Sequence, residues 1–296
     1  IVVAATPNLT NTCGGTATAA AGTTAISLSA GTLAATATCT VSLDVEGTSA
    51  GVKNNSAFAS STEGGSGGTA TASLTVGAPP AATKTFGIAS IPLNGTTWLL
   101  LTINNPNAGL AFTGLSFTDV LHSATVFAAT PTVSNTCGGT VTAVPGAGSV
   151  TLAGGALAAS ATCTVSVDIQ GVSPGVLNNS VTVSAAESGA GNTATASITV
   201  VAPPTISKSF GAASIPLNGS TSLSFTINNP NSATALTGVG FTDALPAGLV
   251  VSTPNGLTGS CGTGTITATG GAGLISLSGA SLAGNGSCTF SVNVTG

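Results

Sequence analysis

The cysteines of this 296-residue chain form three pairs that recur at an almost constant interval. The first members of the pairs are 124 residues apart (137 − 13 and 261 − 137), and the second members are 124 and 125 residues apart (163 − 39 and 288 − 163). A repeat of about 124 residues has the size of a whole domain and is longer than the repeats of solenoids. The sequence therefore predicts a tandem array of one module. The pairs are Cys13 with Cys39, Cys137 with Cys163, and Cys261 with Cys288.

We expect each cysteine pair to form a disulfide, with buried free thiols as the alternative. A structural zinc site needs four ligands, whereas each repeat offers two sulfur atoms and no recurring histidine. Paired cysteines at fixed spacing are typical of proteins that fold in an oxidising compartment. The pattern therefore favours an extracellular or cell-surface location. Closing one such loop contributes about 3–4 kcal/mol to stability in the chain-entropy description.

Charged residues are almost absent from the chain. It contains 3 Lys+Arg, 7 Asp+Glu and one His, whereas about a quarter of the residues are charged in an ordinary domain. Binding to nucleic acid or to an anionic membrane surface needs clustered basic side chains, so both are excluded as functions. The longest strongly apolar run, Trp98–Leu101, is far shorter than the ~20 residues of a membrane-spanning helix. We therefore expect no membrane insertion within this segment.

Alternation of apolar and polar residues with a period of two dominates the sequence. It is clear in Cys163–Ile169, in Thr193–Val200 and in Ser222–Ile227, and it predicts half-buried β-strands. Short strands separated by turn residues at this density indicate an all-β fold built of antiparallel, immunoglobulin-like β-sandwiches with one disulfide per module. Clusters of Gly and Asn predict turns. These clusters are Leu93–Gly95, Pro145–Gly148, Asn178–Asn179 and Gly189–Asn192.

Two Pro-Pro pairs, Pro79-Pro80 and Pro203-Pro204, mark the module joints. They divide the chain into a partial module 1–80 without its opening strands, a complete module 81–204, and a partial module 205–296 without its closing strands. Pro-Pro links are extended and stiff, so the modules should form a rod. Head-to-tail completion of the partial modules by strand exchange is an alternative. It would duplicate the stretch equivalent to 125–171, so we favour an excerpt of a longer repetitive chain.

A set of short motifs recurs in the second and third modules. In the third module they have the form S-K-S-F, I-P-x-N-G-x-T, T-I-N-N-P-N and F-T-D-x-L-P, within Ile206–Leu249. The second module carries similar segments at Lys84–Phe86, Thr102–Asn107 and Phe117–Asp119. This set of motifs resembles that of a family of immunoglobulin-like tandem repeats in bacterial surface and secreted proteins. The resemblance spans the whole chain and implies adhesin stalks, cell-wall-associated fibres or envelope structures, but it implies no catalytic residues.

The few charged residues that recur raise the question of a covalent crosslink. Lys84 and Lys208 are 124 residues apart, as are Asp119 and Asp243. An isopeptide bond between Lys and Asn or Asp, helped by a buried carboxylate, occurs in some bacterial surface sandwiches, so these four residues are candidates for one. The alternative is an exposed Lys near the joint that pairs with Asp at little net gain in stability.

Large apolar side chains at outward positions are the other feature to explain. By alignment with Ser222, Ser224 and Thr182, the side chains of Trp98, Leu100 and Phe58 should point away from the core of their own module. Such residues often mark contacts, although single exposed apolar residues are common. We therefore consider Trp98, Leu100 and Phe58 as an interface with neighbouring modules or other chains, with incidental exposure as the alternative.

No catalytic, cofactor or metal site emerges from the sequence. Ser123 adjoins His122, but the pair does not recur and no orienting group converges on it. The scattered acidic residues do not form a calcium-ligand pattern. We expect no cofactor and no enzymatic activity. The leading hypothesis is a structural component of an extracellular fibre or filament whose partners are copies of itself or neighbouring repeats. The alternatives are the stalk or glycan-binding region of a cell-surface adhesin, and ice or mineral binding through outward Thr residues.

Overall fold

The computed structural model describes all 296 residues, and the chain forms 27 β-strands and no α-helix. None of its elements is a helix that could cross a membrane. Except for one parallel pair, the paired strands are antiparallel. The fold is therefore all-β, as the period-two alternation predicts.

Residues 1–76 form short strands and one long hairpin. Their strands pair only with one another, in four two-stranded sheets that join β1 to β6, β2 to β5, β3 to β4 and β7 to β8. Val3 and Cys13 are the only buried residues of this part. The strands are β1 (Val2–Val3), β2 (Thr10–Asn11), β3 (Thr16–Thr18), β4 (Ser27–Ser29), β5 (Val41–Ser42), β6 (Val45–Glu46), β7 (Gly51–Ser61) and β8 (Gly65–Val76).

Residues 81–201 form a two-layer β-sandwich. One sheet has the order β10-β19-β18-β12-β16-β15 and the other β13-β17-β11-β9, with β14 also paired to β17. The two sheets enclose 26 buried residues of one hydrophobic core. The strands are β9 (Ala81–Phe86), β10 (Ser90–Pro92), β11 (Thr96–Asn104), β12 (Phe112–Val120), β13 (Thr125–Phe127), β14 (Val133–Asn135), β15 (Thr140–Ala143), β16 (Ser149–Leu157), β17 (Thr162–Gly171), β18 (Gly175–Ala185) and β19 (Gly189–Val201).

Residues 205–295 repeat most of this architecture around a second core of 15 buried residues. One sheet has the order β20-β21-β27-β23 with β24 also paired to β27, and the other has the order β22-β26-β25. Phe225, Phe241 and Phe290 pack together in this core, with ring centroids 4.9 to 6.1 Å apart. The strands are β20 (Thr205–Phe210), β21 (Ser220–Asn228), β22 (Leu236–Ala244), β23 (Val250–Val251), β24 (Thr258–Ser260), β25 (Thr265–Ala268), β26 (Leu274–Leu282) and β27 (Ser287–Thr295).

Residues 1–76 lack the hydrophobic core that residues 81–201 enclose, and the difference has a simple physical cause. The β7–β8 hairpin occupies the sequence positions of the β18–β19 hairpin, 124 residues earlier. In the sandwich, β18 pairs with β12 and covers the core. The β7–β8 hairpin instead forms a separate two-stranded sheet, in which β7 pairs only with β8. Its apolar side chains, including Phe58, are consequently exposed.

Two of the four predicted turns are wrong. Asn94, with φ 65°, and Gly95, whose N–H donates to the Pro92 carbonyl, do form a turn, and Pro145–Gly148 forms another. Asn178–Asn179, however, lies in the middle of β18, and Gly189–Asn192 opens β19. Local preference favoured turns there, but the pairing of β18 with β19 and the contacts of the Asn179 side chain determine the observed structure.

Candidate functional site

All three cysteine pairs are joined as disulfides in the structure. The Cα atoms of the bonded residues are 4.9, 5.0 and 5.0 Å apart, within the ordinary range for a disulfide. In the middle sandwich Cys137 follows β14, and Cys163 lies on β17 in register with buried Val165 and Val167. The bond therefore ties two neighbouring segments of one sheet together inside the hydrophobic core.

An asparagine of the next module holds each joint. Before the first Pro-Pro pair, the N–H of Ala78 donates to Oδ1 of Asn107 at 2.8 Å, and Nδ2 of Asn107 donates to the Ala78 carbonyl at 2.9 Å. Before the second pair, Ala202 and Asn231 make the same two bonds at 2.7 and 2.9 Å. A carboxamide can donate and accept at once, so one side chain satisfies both the N–H and the carbonyl of the alanine that precedes the Pro-Pro pair. We call this paired contact the joint clamp.

A second asparagine fixes the clamp residue. Oδ1 of Asn105 accepts hydrogen bonds from the backbone N–H and from Nδ2 of Asn107, at 3.0 and 2.8 Å. Nδ2 of Asn105 in turn donates to backbone carbonyls, among them that of Leu110 at 2.8 Å. Asn105 is fully buried, and Asn229 makes the corresponding bonds to Asn231. The clamp side chain is therefore held in one orientation before it meets the link.

The clamp gives the N-N-P-N motif a structural role that the sequence did not reveal. The motif begins at the last residue of β11 in the middle module and of β21 in the third, whereas the alanine that the clamp holds lies 29 residues before the clamp asparagine. In the sequence alone the motif indicates only a family resemblance, because no local feature shows which backbone groups its side chain contacts. The exact recurrence of the motif at the end of the same strand was the available signal.

A buried lysine, aspartate and asparagine meet inside the middle sandwich. Lys84 lies on β9, Asp119 on β12 and Asn179 on β18, and they are 5%, 2% and 6% exposed. Nζ of Lys84 donates to Oδ2 of Asp119 in a close ion pair. Nδ2 of Asn179 donates to Oδ1 of Asp119 at 2.9 Å and to the Val120 carbonyl at 2.7 Å. Asp119 thus contacts both nitrogen atoms, one with each carboxylate oxygen.

This environment changes the acid–base behaviour of the lysine. Burial lowers the pKa of Lys84 below its ordinary value, and the hydrogen bond and the negative charge of Asp119 oppose that effect only in part. The exposed, weakly paired lysine considered as an alternative is therefore wrong for Lys84. Burying an ion pair is costly unless its geometry and hydrogen bonding are good. Water does not stabilise the charges of this buried pair, so its presence in the core needs another explanation.

Asn179 is the member of the cluster that sequence analysis missed. It belongs to the Asn-Asn pair expected to form a turn, yet its side chain faces the core beside Val181 and Val183. The signal was present in the sequence: Leu177, Asn179, Val181 and Val183 share one alternation, which places the asparagine on the inward face. The same pair recurs at Asn54-Asn55, 124 residues earlier.

The third module carries the same lysine and aspartate in a more open setting. Nζ of Lys208 donates to both carboxylate oxygens of Asp243 at 2.7 and 2.6 Å, and it lies 5.7 Å from the centroid of the Phe225 ring. The side chains are 37% and 19% exposed. The position equivalent to Asn179 would follow Gly296, outside this sequence. The four predicted crosslink residues therefore form two separate Lys–Asp pairs.

The candidate interface residues do not form one surface. Trp98 is 43% exposed and Phe58 69% exposed, whereas Leu100 is half-buried. Trp98 and Leu100 lie on β11, and Phe58 lies on β7. Part of the Trp98 indole covers Gly87, where an added Cβ would approach it to 2.6 Å. That these residues contact neighbouring modules or chains stays a prediction.

Two other polar residues have structural partners. Nδ1 of His122 accepts a hydrogen bond from the N–H of Ala124 at 3.1 Å. The carboxylate of Glu187, at the β18–β19 turn, accepts from the N–H of Thr113 at 2.9 Å and from its hydroxyl. These bonds lower the pKa of Glu187. No group of three or more His, Cys, Asp and Glu side chains is arranged to hold a metal ion.

The tandem sandwiches, each with its own disulfide, place the chain in a class of repetitive β-domain proteins. The family model described as "Domain of unknown function (DUF7933)" matches residues 1–76, 80–200 and 204–296. The chain therefore belongs to the DUF7933 family. No curated protein matches it.

Several solved structures are similar to this chain at low identity. The C-terminal domain of the antigen I/II polypeptide BspA of Streptococcus agalactiae is 13% identical, with 72% of this chain and 90% of that chain covered and a TM-score of 0.44. The C-terminal domain of the antigen I/II-family protein AspA of Streptococcus pyogenes is 8% identical, with 82% and 90% covered and a TM-score of 0.44. The type II cohesin dyad of the ScaA scaffoldin of Acetivibrio cellulolyticus is 13% identical, with 72% and 84% covered and a TM-score of 0.29.

Proposed function

We propose that this chain is a structural region of an extracellular protein, in which tandem β-sandwiches form or extend a surface fibre. The joint clamp is the observation that carries the proposal. It recurs at both links, where an asparagine at the equivalent position bonds the N–H and the carbonyl of an equivalent alanine at nearly the same distances. A protein that only needed flexible spacing between domains would have no use for a link held in this way.

The disulfides and the scarcity of charge support the same role. Three disulfides within one chain favour an oxidising environment outside the cell. With 3 basic and 7 acidic residues, neighbouring modules can approach side by side with little repulsion. The Thr, Ser and Ala side chains that dominate their outer faces also cost less to bury than charged groups would. Both properties suit a fibre assembled from copies of the chain or from neighbouring repeats.

The second candidate function is the stalk or glycan-binding region of a surface adhesin. Trp98 favours it, because an aromatic ring that is 43% exposed can stack against a sugar. A stalk would use the same disulfides and joint clamps, but its chains would not associate with one another. Assembly, and not the fold of the modules, therefore distinguishes the two functions.

Negative-stain electron microscopy of the purified chain tests the fibre proposal. We expect regular filaments whose axial repeat matches a whole number of modules. Isolated rods at every protein concentration would contradict the fibre and favour the stalk. The Trp98→Ala variant separates the candidates further, because only a glycan-binding stalk would lose a glycan-array signal with this substitution.

A further inference from the structure

We propose that Lys84 and Asn179 form an intramolecular isopeptide bond, with Asp119 transferring protons between them. The bond would join Nζ of Lys84 to Cγ of Asn179 and release the carboxamide nitrogen as ammonia. It would be a self-catalysed modification that holds the two sheets of the middle sandwich together. The proposal does not depend on the fibre, since a sandwich of any function could carry this bond.

The arrangement of hydrogen bonds around Asp119 carries the inference. Its Oδ2 accepts from the lysine nitrogen that would attack, and its Oδ1 accepts from the amide nitrogen that would leave, at 2.9 Å. One carboxyl group thus contacts both nitrogen atoms between which protons must move. That is the position a general acid–base group needs for an exchange of nitrogen on a carbonyl carbon.

Burial supplies the second requirement, which is a nucleophilic amine. A protonated lysine has no lone pair, so attack requires the neutral form. The Lys84 side chain is fully buried, and burial lowers its pKa. Transfer of one proton from Lys84 to Asp119 would also convert a buried ion pair into two neutral groups, which removes the cost of burying charge.

The asparagine is held in a way that a purely structural residue would not require. Both hydrogens of Nδ2 have acceptors, Asp119 and the Val120 carbonyl, whereas the buried Oδ1 has no hydrogen-bond partner. An unsatisfied buried carbonyl oxygen costs about 1–3 kcal/mol and needs a reason in a native fold. The carboxamide is therefore fixed at the end that would leave.

The bond-forming step balances without an oxidant or any co-reactant. Lys84 gives one proton to Asp119, and its amine attacks Cγ of Asn179 to give a tetrahedral carbon. Protonated Asp119 then donates that proton to Nδ2, the Cγ–Nδ2 bond breaks, and the new amide nitrogen loses its second proton to the departing ammonia. Asp119 ends as a carboxylate, and the products are one secondary amide and one ammonium ion.

The internal repeats support a common role for the three residues. Lysine occurs at 84 and 208, aspartate at 119 and 243, and the Asn-Asn pair at 54-55 and 178-179. Each position that this sequence covers twice therefore carries the same residue type. The chain has only three basic residues, and two of them occupy this one position.

Intact-mass spectrometry of the folded chain tests the proposal. The expected result is a mass below that of the sequence with three disulfides, by one molecule of ammonia. A proteolytic digest should then contain a branched peptide that joins Lys84 to Asn179. An unshifted mass would overturn the proposal, and so would a loss of water, because water would leave if Lys84 had condensed with Asp119.

Variants distinguish the ammonia lost on forming this bond from ammonia lost in other reactions, such as ring closure at an Asn-Gly sequence. Lys84→Arg and Asn179→Ala should each restore the full mass. Lys208→Arg and Asn178→Ala are the matched controls and should leave the loss unchanged, since Asn178 is exposed on the same strand. An ammonia loss that persists in Lys84→Arg would contradict the proposal. If that variant does not fold, the branched peptide of the unmodified sequence decides alone.

Discussion

At the scale of single residues, asparagine carries most of the specific contacts of this chain. Asn107 and Asn231 clamp the links because an amide can pair with the N–H and the carbonyl of one alanine at the same time. Aspartate could accept but not donate, and an apolar residue could do neither. In a chain with so few charges, carboxamides supply the polar specificity that ion pairs supply elsewhere.

Glu187 gives a prediction about pH at this scale. Its pKa in the folded state lies below the ordinary value of 4.5 because Thr113 donates two hydrogen bonds to the ionised carboxylate. The unfolded state therefore binds the proton first, and the stabilisation is present above pH 4.5 and lost as the pH falls through the folded-state pKa. We expect Glu187→Gln to be less stable than the unmodified chain at neutral pH and equal to it in acid.

Denaturant unfolding at a series of pH values checks this difference. Glu63→Gln is the matched control, because Glu63 occupies the equivalent position in the first hairpin and no equivalent of Thr113 precedes it in this sequence. A stability difference for Glu187→Gln that stayed constant from neutral to strongly acidic pH would show that the carboxylate charge is not responsible.

At the scale of strands, the sequence predicted what the period of alternation determines and missed what distant partners determine. Val165, Val167 and Ile169 are buried as their alternation predicts, because successive side chains of a strand point to opposite faces. Asn179 was misplaced because the turn preference of the Asn-Asn pair conflicts with its alternation with Leu177 and Val181. Its acceptor, Asp119, also lies 60 residues away. A local preference for turns cannot anticipate a contact of that range.

The disulfide of the middle sandwich gives a prediction at this scale. Replacing both Cys137 and Cys163 with alanine opens a loop of sequence separation 26 without leaving a free thiol. We expect the middle module to lose about 3–4 kcal/mol of stability, because the unfolded chain regains conformational freedom. Trp98, the single tryptophan, lies in this module and reports its unfolding by fluorescence in urea.

The double alanine variant of Cys261 and Cys288 is the control for this measurement. It removes the corresponding bond from the third module, whose core is separate from that of the middle module. The Trp98 transition should therefore change far less than in the Cys137 and Cys163 variant. Equal shifts in the two variants would mean that the modules do not unfold as separate units.

At the scale of the whole molecule, the repeat of the cysteine pairs predicted a chain of similar modules, and the structure contains two sandwich cores within it. One core lies between Ala82 and Val200, and the other between Leu223 and Val294. How the modules are joined could not be predicted, because the Pro-Pro pairs indicate a stiff link but not which side chain binds it. The asparagine of the joint clamp belongs to the following module, and its contact with the link is apparent only in the structure.

The most direct test of this account measures whether a clamped joint is stiff. In ¹⁵N NMR relaxation of the whole chain, amides of the middle and third modules should fit one common rotational diffusion tensor. Asn231→Asp, which removes the donor of the clamp, should give the two modules different tumbling times, whereas Asn228→Asp at an exposed neighbouring position should not. Independent tumbling of the two modules in the unmodified chain would contradict a structural role based on stiff joints.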